Sequence, residues 1–156
     1  MINKVKSMRG QTLIEALTAL GIIAIVITAI SVAVTTALSN AEYNQSETLA
    51  TKYAQQGSEI INQIRDDNYN GFKNYSGTYC LAQNQTALGT VQPSCSSPNF
   101  GTFIRSVDIV QGGCAANVAH VTVTVSFTDG KCQAGVYCHQ VIDDSCFSTS
   151  NPIQAP

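Results

Sequence analysis

The chain has 156 residues and a formal net charge of −2, so it has room for one modest domain and no basic excess with which to hold nucleic-acid phosphates. Residues 1–10 carry three cations and no acid, and the remainder without them stands at −5. An uncharged apolar run over residues 16–38 removes much of the length from any soluble core.

The first ten residues, MINKVKSMRG, are basic and polar and end in glycine. Lys4, Lys6 and Arg9 form a cytoplasmic flank under the positive-inside rule, which puts everything after Leu38 outside. From Ala16 to Leu38 there is no charge, and as a helix this run extends about 35 Å at 1.5 Å per residue, enough to cross a bilayer. It is longer than the apolar core of about 7–15 residues in a secretory signal. Glu15 stands at its head, where an ionised carboxylate costs free energy unless something neutralises it.

No proline interrupts residues 39–66, and their one glycine is Gly57, so the helix is expected to continue beyond the apolar run to about Asp66. Leu49, Tyr53, Gly57, Ile60 and Ile64 recur at helical spacing and predict an apolar stripe, opposite Glu47, Lys52, Gln55, Glu59 and Asn62. Residues 67–101, rich in Asn, Gly, Ser and Pro without a sustained period, read as a loop between helix and sheet. VAHVTVTVSF then alternates: Val121, Val123, Val125 and Phe127 on one face, His120, Thr122, Thr124 and Ser126 on the other. Weaker strands are expected at 103–110 and 135–142, and three strands in succession suggest an antiparallel meander packed on the helix stripe. The predicted class is therefore α+β: a long N-terminal helix on a small, disulfide-stapled antiparallel sheet.

All six cysteines, at 80, 95, 114, 132, 138 and 146, follow the apolar run, which suits an oxidising, exported compartment. In a meander, Cys114 at the first turn and Cys146 beyond the third strand share one end of the sheet, and Cys132 lies at the other. The pairing this favours is Cys80–Cys95, Cys114–Cys146 and Cys132–Cys138, out of 15 arrangements open to six cysteines. The last pair fails if Asp129-Gly130 makes a tight hairpin, because the two cysteines then share a strand.

Cys132, Cys138, His139 and Cys146 are metal-ligand types, but no C-x-x-C pair is present and export favours bridges over a metal. His120 on the polar strand face reads as a solvated histidine, and Asp143-Asp144 as a turn before Cys146. No serine sits in a G-x-S-x-G context, and no catalytic constellation or cofactor motif emerges, so an enzyme is not expected.

Gly10, then Thr12-Leu13-Ile14-Glu15-Ala16-Leu17, then an apolar helix, together resemble the class III signal and N-terminal helix of type IV pilins and pseudopilins. ATKYAQQGSEIINQIRDDNYNGF resembles the membrane-distal helix of minor pilins. Position 11 is Gln, where the family more often has Phe or Met, and the apolar half lacks the proline of many major pilins. The resemblance implies a leader over 1–10 cut by a prepilin peptidase between Gly10 and Gln11, and N-methylation at Gln11. It implies a transmembrane and assembly helix over 11–38, its amphipathic continuation over 39–66, the disulfide-closed loop region over 67–101, and the sheet with its C-terminal bridges over 102–156. It further implies that Glu15 serves assembly, that other pilin subunits and a pilus assembly platform are partners, and that the subunit rests among membrane lipid before joining an extracellular filament. The competing reading is a membrane-tethered binding or adhesion module that never polymerises, for which an acid at position 15 has no use.

Overall fold

The computed structural model describes residues 11–83, 85, 87–133 and 135–149. In chain order these form α1 (Gln11–Asp67), α2 (Tyr69–Phe72), β1 (Gly77–Cys80), β2 (Ile104–Ala115), β3 (Val118–Phe127) and β4 (His139–Ser148). The chain divides into two compact units, residues 1–41 and residues 42–156. The expected leader, with Gly10, lies outside the described residues.

Without proline, and with only Gly21 and Gly57 as weak helix formers, α1 runs for 57 residues. It ends where Asn68 adopts an extended backbone and its side chain accepts the Gly71 N–H at 2.8 Å, capping α2. Within the second unit, the buried line of α1 is Ala50, Ala54, Gly57, Ile61 and Ile64. The expected stripe is rotated by one residue at three positions: Leu49, Tyr53 and Ile60 are half-buried flanks. The small side chains take the centre because the helix backbone lies close on the sheet. A Cβ at Gly57 would stand 2.7 Å from Val123 Cγ1, closer than real contacts allow.

The sheet order is β1-β2-β3-β4, antiparallel throughout. β3 alternates as expected, with Ala119, Val121, Val123, Val125 and Phe127 buried. These side chains join Val107 and Ile109 of β2, Phe72, Tyr79, Leu81 and Phe103 in one core with the α1 line. The turn from β2 to β3 holds Asn117 at φ +60°, a left-handed position that asparagine tolerates.

Two expectations about strands require correction. Residues 67–101 are not a loop alone: they contain α2 and β1, so the meander has four strands rather than three. β1 has only four residues and one buried side chain, Tyr79, too few for a period to show. The last strand does not lie at 135–142 but begins at His139 and reaches Ser148, so Asp143 and Asp144 belong to β4 and not to a turn. They satisfy opposite faces: Asp143 accepts a hydrogen bond from Ser58 of α1, and Asp144 accepts one from Thr122 at 2.6 Å on the outer face.

The bridges are Cys80–Cys95, Cys114–Cys146 and Cys132–Cys138, with Cα separations of 5.6, 6.1 and 5.8 Å. The third is possible because β3 and β4 are joined by a wide connection over 128–138 and not by a tight hairpin at Asp129-Gly130. Cys80–Cys95 closes a separation of 15 residues, worth roughly 3 kcal/mol in the chain-entropy account.

The contact at Gly57 gives a direct test. Gly57→Leu is expected to lower unfolding free energy by about 1–3 kcal/mol through overpacking, read from urea denaturation of the full chain in detergent. Gly57→Ala should lose less, since helix propensity returns about 1 kcal/mol.

Candidate functional site

In the first unit the apolar side chains of α1 are bare on every side: Leu13 is 63%, Ile25 70% and Leu38 61% exposed. The most apolar 18-residue window has a mean hydropathy of 2.6 and none of it is buried within the chain. A helix apolar all round needs lipid or other apolar helices around it. Five of its hydroxyls, on Thr18, Thr28, Ser31, Thr35 and Thr36, are satisfied internally. Thr28 donates to the carbonyls of Ala24 and Ile25 at 3.1 and 2.8 Å, Ser31 to Ile27 at 2.9 Å, and Thr36 to Val32 at 2.9 Å. Such back-bonding removes the cost of placing a free hydroxyl in hydrocarbon.

Glu15 is the one charged residue between positions 11 and 41. It is exposed, and among the described residues no cation pairs with it. Thr18 Oγ1 donates to its backbone carbonyl at 2.9 Å, which leaves the carboxylate itself unengaged. Gln11 is the first described residue of α1. The expected cleavage partner Gly10 lies outside the described residues.

The head contains a buried charge that the sequence reading passed over. Arg105 of β2 is fully buried. Its Nε donates to Leu81 O at 3.1 Å, Nη2 to Ala82 O at 3.0 Å and Nη1 to Tyr53 O at 3.2 Å, and the guanidinium lies 4.2 Å from the Phe100 ring centroid. Its backbone exchanges two bonds with the Asn99 side chain, at 2.7 and 2.8 Å. One residue thus fastens α1, the chain after β1 and the segment before β2. Desolvation brings its pKa down to about 10. A cavity of about 300 Å³ beside it is lined by Gln56, Glu59, Gln63, Gln83 and Phe100 among others. The signal was present: Phe103, Arg105, Val107 and Ile109 alternate, so the strand pattern itself puts Arg105 on the core face.

On the outer sheet face one row crosses all four strands, Thr78, Asp108, Thr122 and Asp144. Thr78 donates to Asp108 at 3.0 Å, and His120 Nε2 lies 3.5 Å from Asp144 Oδ1. His120 is thus half-exposed beside an acid rather than simply solvated. Of the metal-type residues, Cys146 is drawn away to Cys114, and Asp129 joins Cys132, Cys138 and His139 in its place. The Asp129 carboxyl is held below its ordinary range, foremost by the backbone N–H of Lys131, against an opposing push from burial.

Residues 5–31 match the family model of the prokaryotic N-terminal methylation motif, an interval that takes in Gly10, Gln11 and Glu15. No curated protein and no solved structure matches the chain.

Arg105→Ala is expected to cost about 3 kcal/mol or more in urea denaturation, because one buried and two part-buried carbonyls lose a donor together and a large buried side chain is removed. Limited proteolysis should accelerate within 83–99, the segment it fastens. Arg105→Lys, a point charge without the planar fork, should restore only part of both.

Proposed function

We propose that this chain, type IV pilin-like in its signal and its α+β architecture, is a structural subunit, of the minor pilin or pilin-like kind, in a type IV pilus or related filament. The observation that carries the reading is one register: the methylation motif over 5–31 runs, from residue 11 on, along α1, where residues 13–31 are exposed and Glu15 is the one charge among them. A helix with that surface is at home in lipid and equally in a bundle of its own kind.

In this reading a prepilin peptidase cuts between Gly10 and Gln11, and the new α-amine, methylated at Gln11, stands four residues before Glu15. The subunit waits in the inner membrane with its disulfide-bonded head outside the cytoplasm, and an assembly platform moves it into the fibre among other pilin subunits. There the amine of one subunit pairs with the Glu15 carboxylate of its neighbour. An unpaired charge costs about 2.5–3.5 kcal/mol at the bilayer centre and less near the interface, so the free subunit tolerates Glu15 and the packed core does not. Mutual neutralisation then sets the axial register of adjacent helices, the best-attested use of a buried ionic pair.

Mass spectrometry of the mature chain is expected to find Gln11 at the amino terminus. An intact leader in assembled material, or cleavage after Leu38, would overturn the reading. Glu15→Val should leave insertion and cleavage intact and sharply reduce incorporation into filaments, measured by immunoblot of sheared and membrane fractions with the other pilins present. Normal incorporation of that variant would favour the tethered module instead.

A further inference from the structure

The connection between β3 and β4 holds Asp129, Cys132 and Cys138, and His139 opens β4; their ligand atoms all lie within 4.8 Å of one another. The two sulfurs are joined as a disulfide. Beside them, two buried polar atoms have no hydrogen-bond partner among the described residues: Asp129 Oδ2 and His139 Nε2. The Asp129 side chain is only 4% exposed. Its Oδ1 is well used, accepting the backbone N–H of Lys131 at 2.9 Å and of Cys132 at 3.2 Å. His139 Nε2 stands 3.3 Å from the same Oδ1, without the alignment of a hydrogen bond. Asp129 Oδ2 is thus a buried carboxylate oxygen without a hydrogen bond, and His139 Nε2 faces the same carboxyl at ion-pair distance, an arrangement that a cation reaching both residues would satisfy. The imidazole is also held in place, edge to face with Tyr43 at 5.0 Å and against Phe127 at 5.3 Å.

We propose that, when the Cys132–Cys138 bridge is open, this connection is a Zn²⁺ site formed by an Asp129 carboxylate oxygen, the Cys132 and Cys138 thiolates and an imidazole nitrogen of His139. Tetrahedral zinc with bonds of about 2.0–2.3 Å separates its ligands by about 3.3–3.8 Å, inside the spread found here. The Cys80–Cys95 and Cys114–Cys146 bridges gather no such set among the described residues.

The electron balance is simple. A dithiol reductant gives two electrons and two protons to the S–S bond and itself becomes a disulfide. Zn²⁺ then binds both sulfurs as thiolates, and their two protons pass to solvent. In the reverse direction the two thiolates give their electron pair to a disulfide-donating oxidant, the S–S bond forms, and Zn²⁺ leaves. The metal form belongs to the chain before its bridges close, when it orders the 128–138 connection and keeps Cys132 and Cys138 together for each other.

The test uses the full chain in detergent, reduced with a phosphine and titrated with Co²⁺. The expected result is the visible d–d bands of tetrahedral cobalt with a near-ultraviolet thiolate charge-transfer band, both lost when Zn²⁺ is added. Cys132→Ser with Cys138→Ser should abolish both bands, and Cys114→Ser with Cys146→Ser should leave them. Asp129→Asn and His139→Gln should each weaken binding by about tenfold or more. Because reduction opens all three bridges, alkylation mapped by mass spectrometry supplies a reading that does not need the head intact: Zn²⁺ should slow modification of Cys132 and Cys138 about tenfold relative to the other four cysteines. Equal modification of all six with and without Zn²⁺, or cobalt bands that survive loss of Cys132 and Cys138, would overturn the proposal.

Discussion

The head is organised by how closely a helix backbone can lie on a strand. Gly57 brings α1 within van der Waals reach of Val123, and the neighbouring positions, Ala50 and Ala54, are small for the same reason. A close helix leaves little thickness for a core between the two layers, so the larger side chains sit at its margins. Tyr53 packs against Phe100 and Phe103 at centroid distances of 4.3 and 5.1 Å, and Phe127 against Tyr43 at 6.0 Å. Aromatic pairs at the rim do what large aliphatics do at the centre of a thicker domain.

A thin core cannot by itself hold the long stretch between β1 and β2, and two other devices take over. One is covalent, the Cys80–Cys95 bridge. The other is Arg105, whose side chain donates to three carbonyls in two segments, α1 and the stretch after β1, where a hydrophobic side chain offers no donor. A guanidinium keeps its charge at physiological pH even with its pKa lowered to about 10, and its planar fork spreads the charge over several acceptors, so no acid is needed beside it. Leu81 and Ala82 are thereby tied to α1 through their backbone carbonyls, while the stretch that follows is held by the buried Leu88, the Cys95 bridge and the Asn99 side chain.

What could be read from the sequence follows from where burial is one-sided. β3 is covered on one face and alternates over its whole length, so its inward residues were legible one by one. The apolar half of α1 was legible because a helix bare on all sides needs no register. β1 is too short to show a period, and β4, an edge strand half-buried along its length, carries acids that serve two different faces and therefore resembles a turn. The helix stripe was displaced by one residue because hydrophobicity picks out Leu49, Tyr53 and Ile60, whereas close approach picks out Ala50, Ala54 and Gly57. Of the functional residues, Glu15 stood out as a charge against an apolar background. Asp129 had no such contrast, being one acid among ten in the chain, although a local turn carries it to Cys132, Cys138 and His139.

The two units present different surfaces, one apolar and bare, the other closed over its own core. In residues 13–41 nearly every side chain faces outward, so each is constrained by whatever surrounds it, and most hydroxyls close on their own backbone. Such a surface has few solutions: apolar and uninterrupted, here with Glu15 as its one charge. The head faces water and needs only to keep its own core closed. Many combinations of small helix residues, alternating strand and bridges meet that requirement, so its sequence is free to diverge while the layout persists. The match over residues 5–31 lies at the end of the chain where that narrower constraint acts.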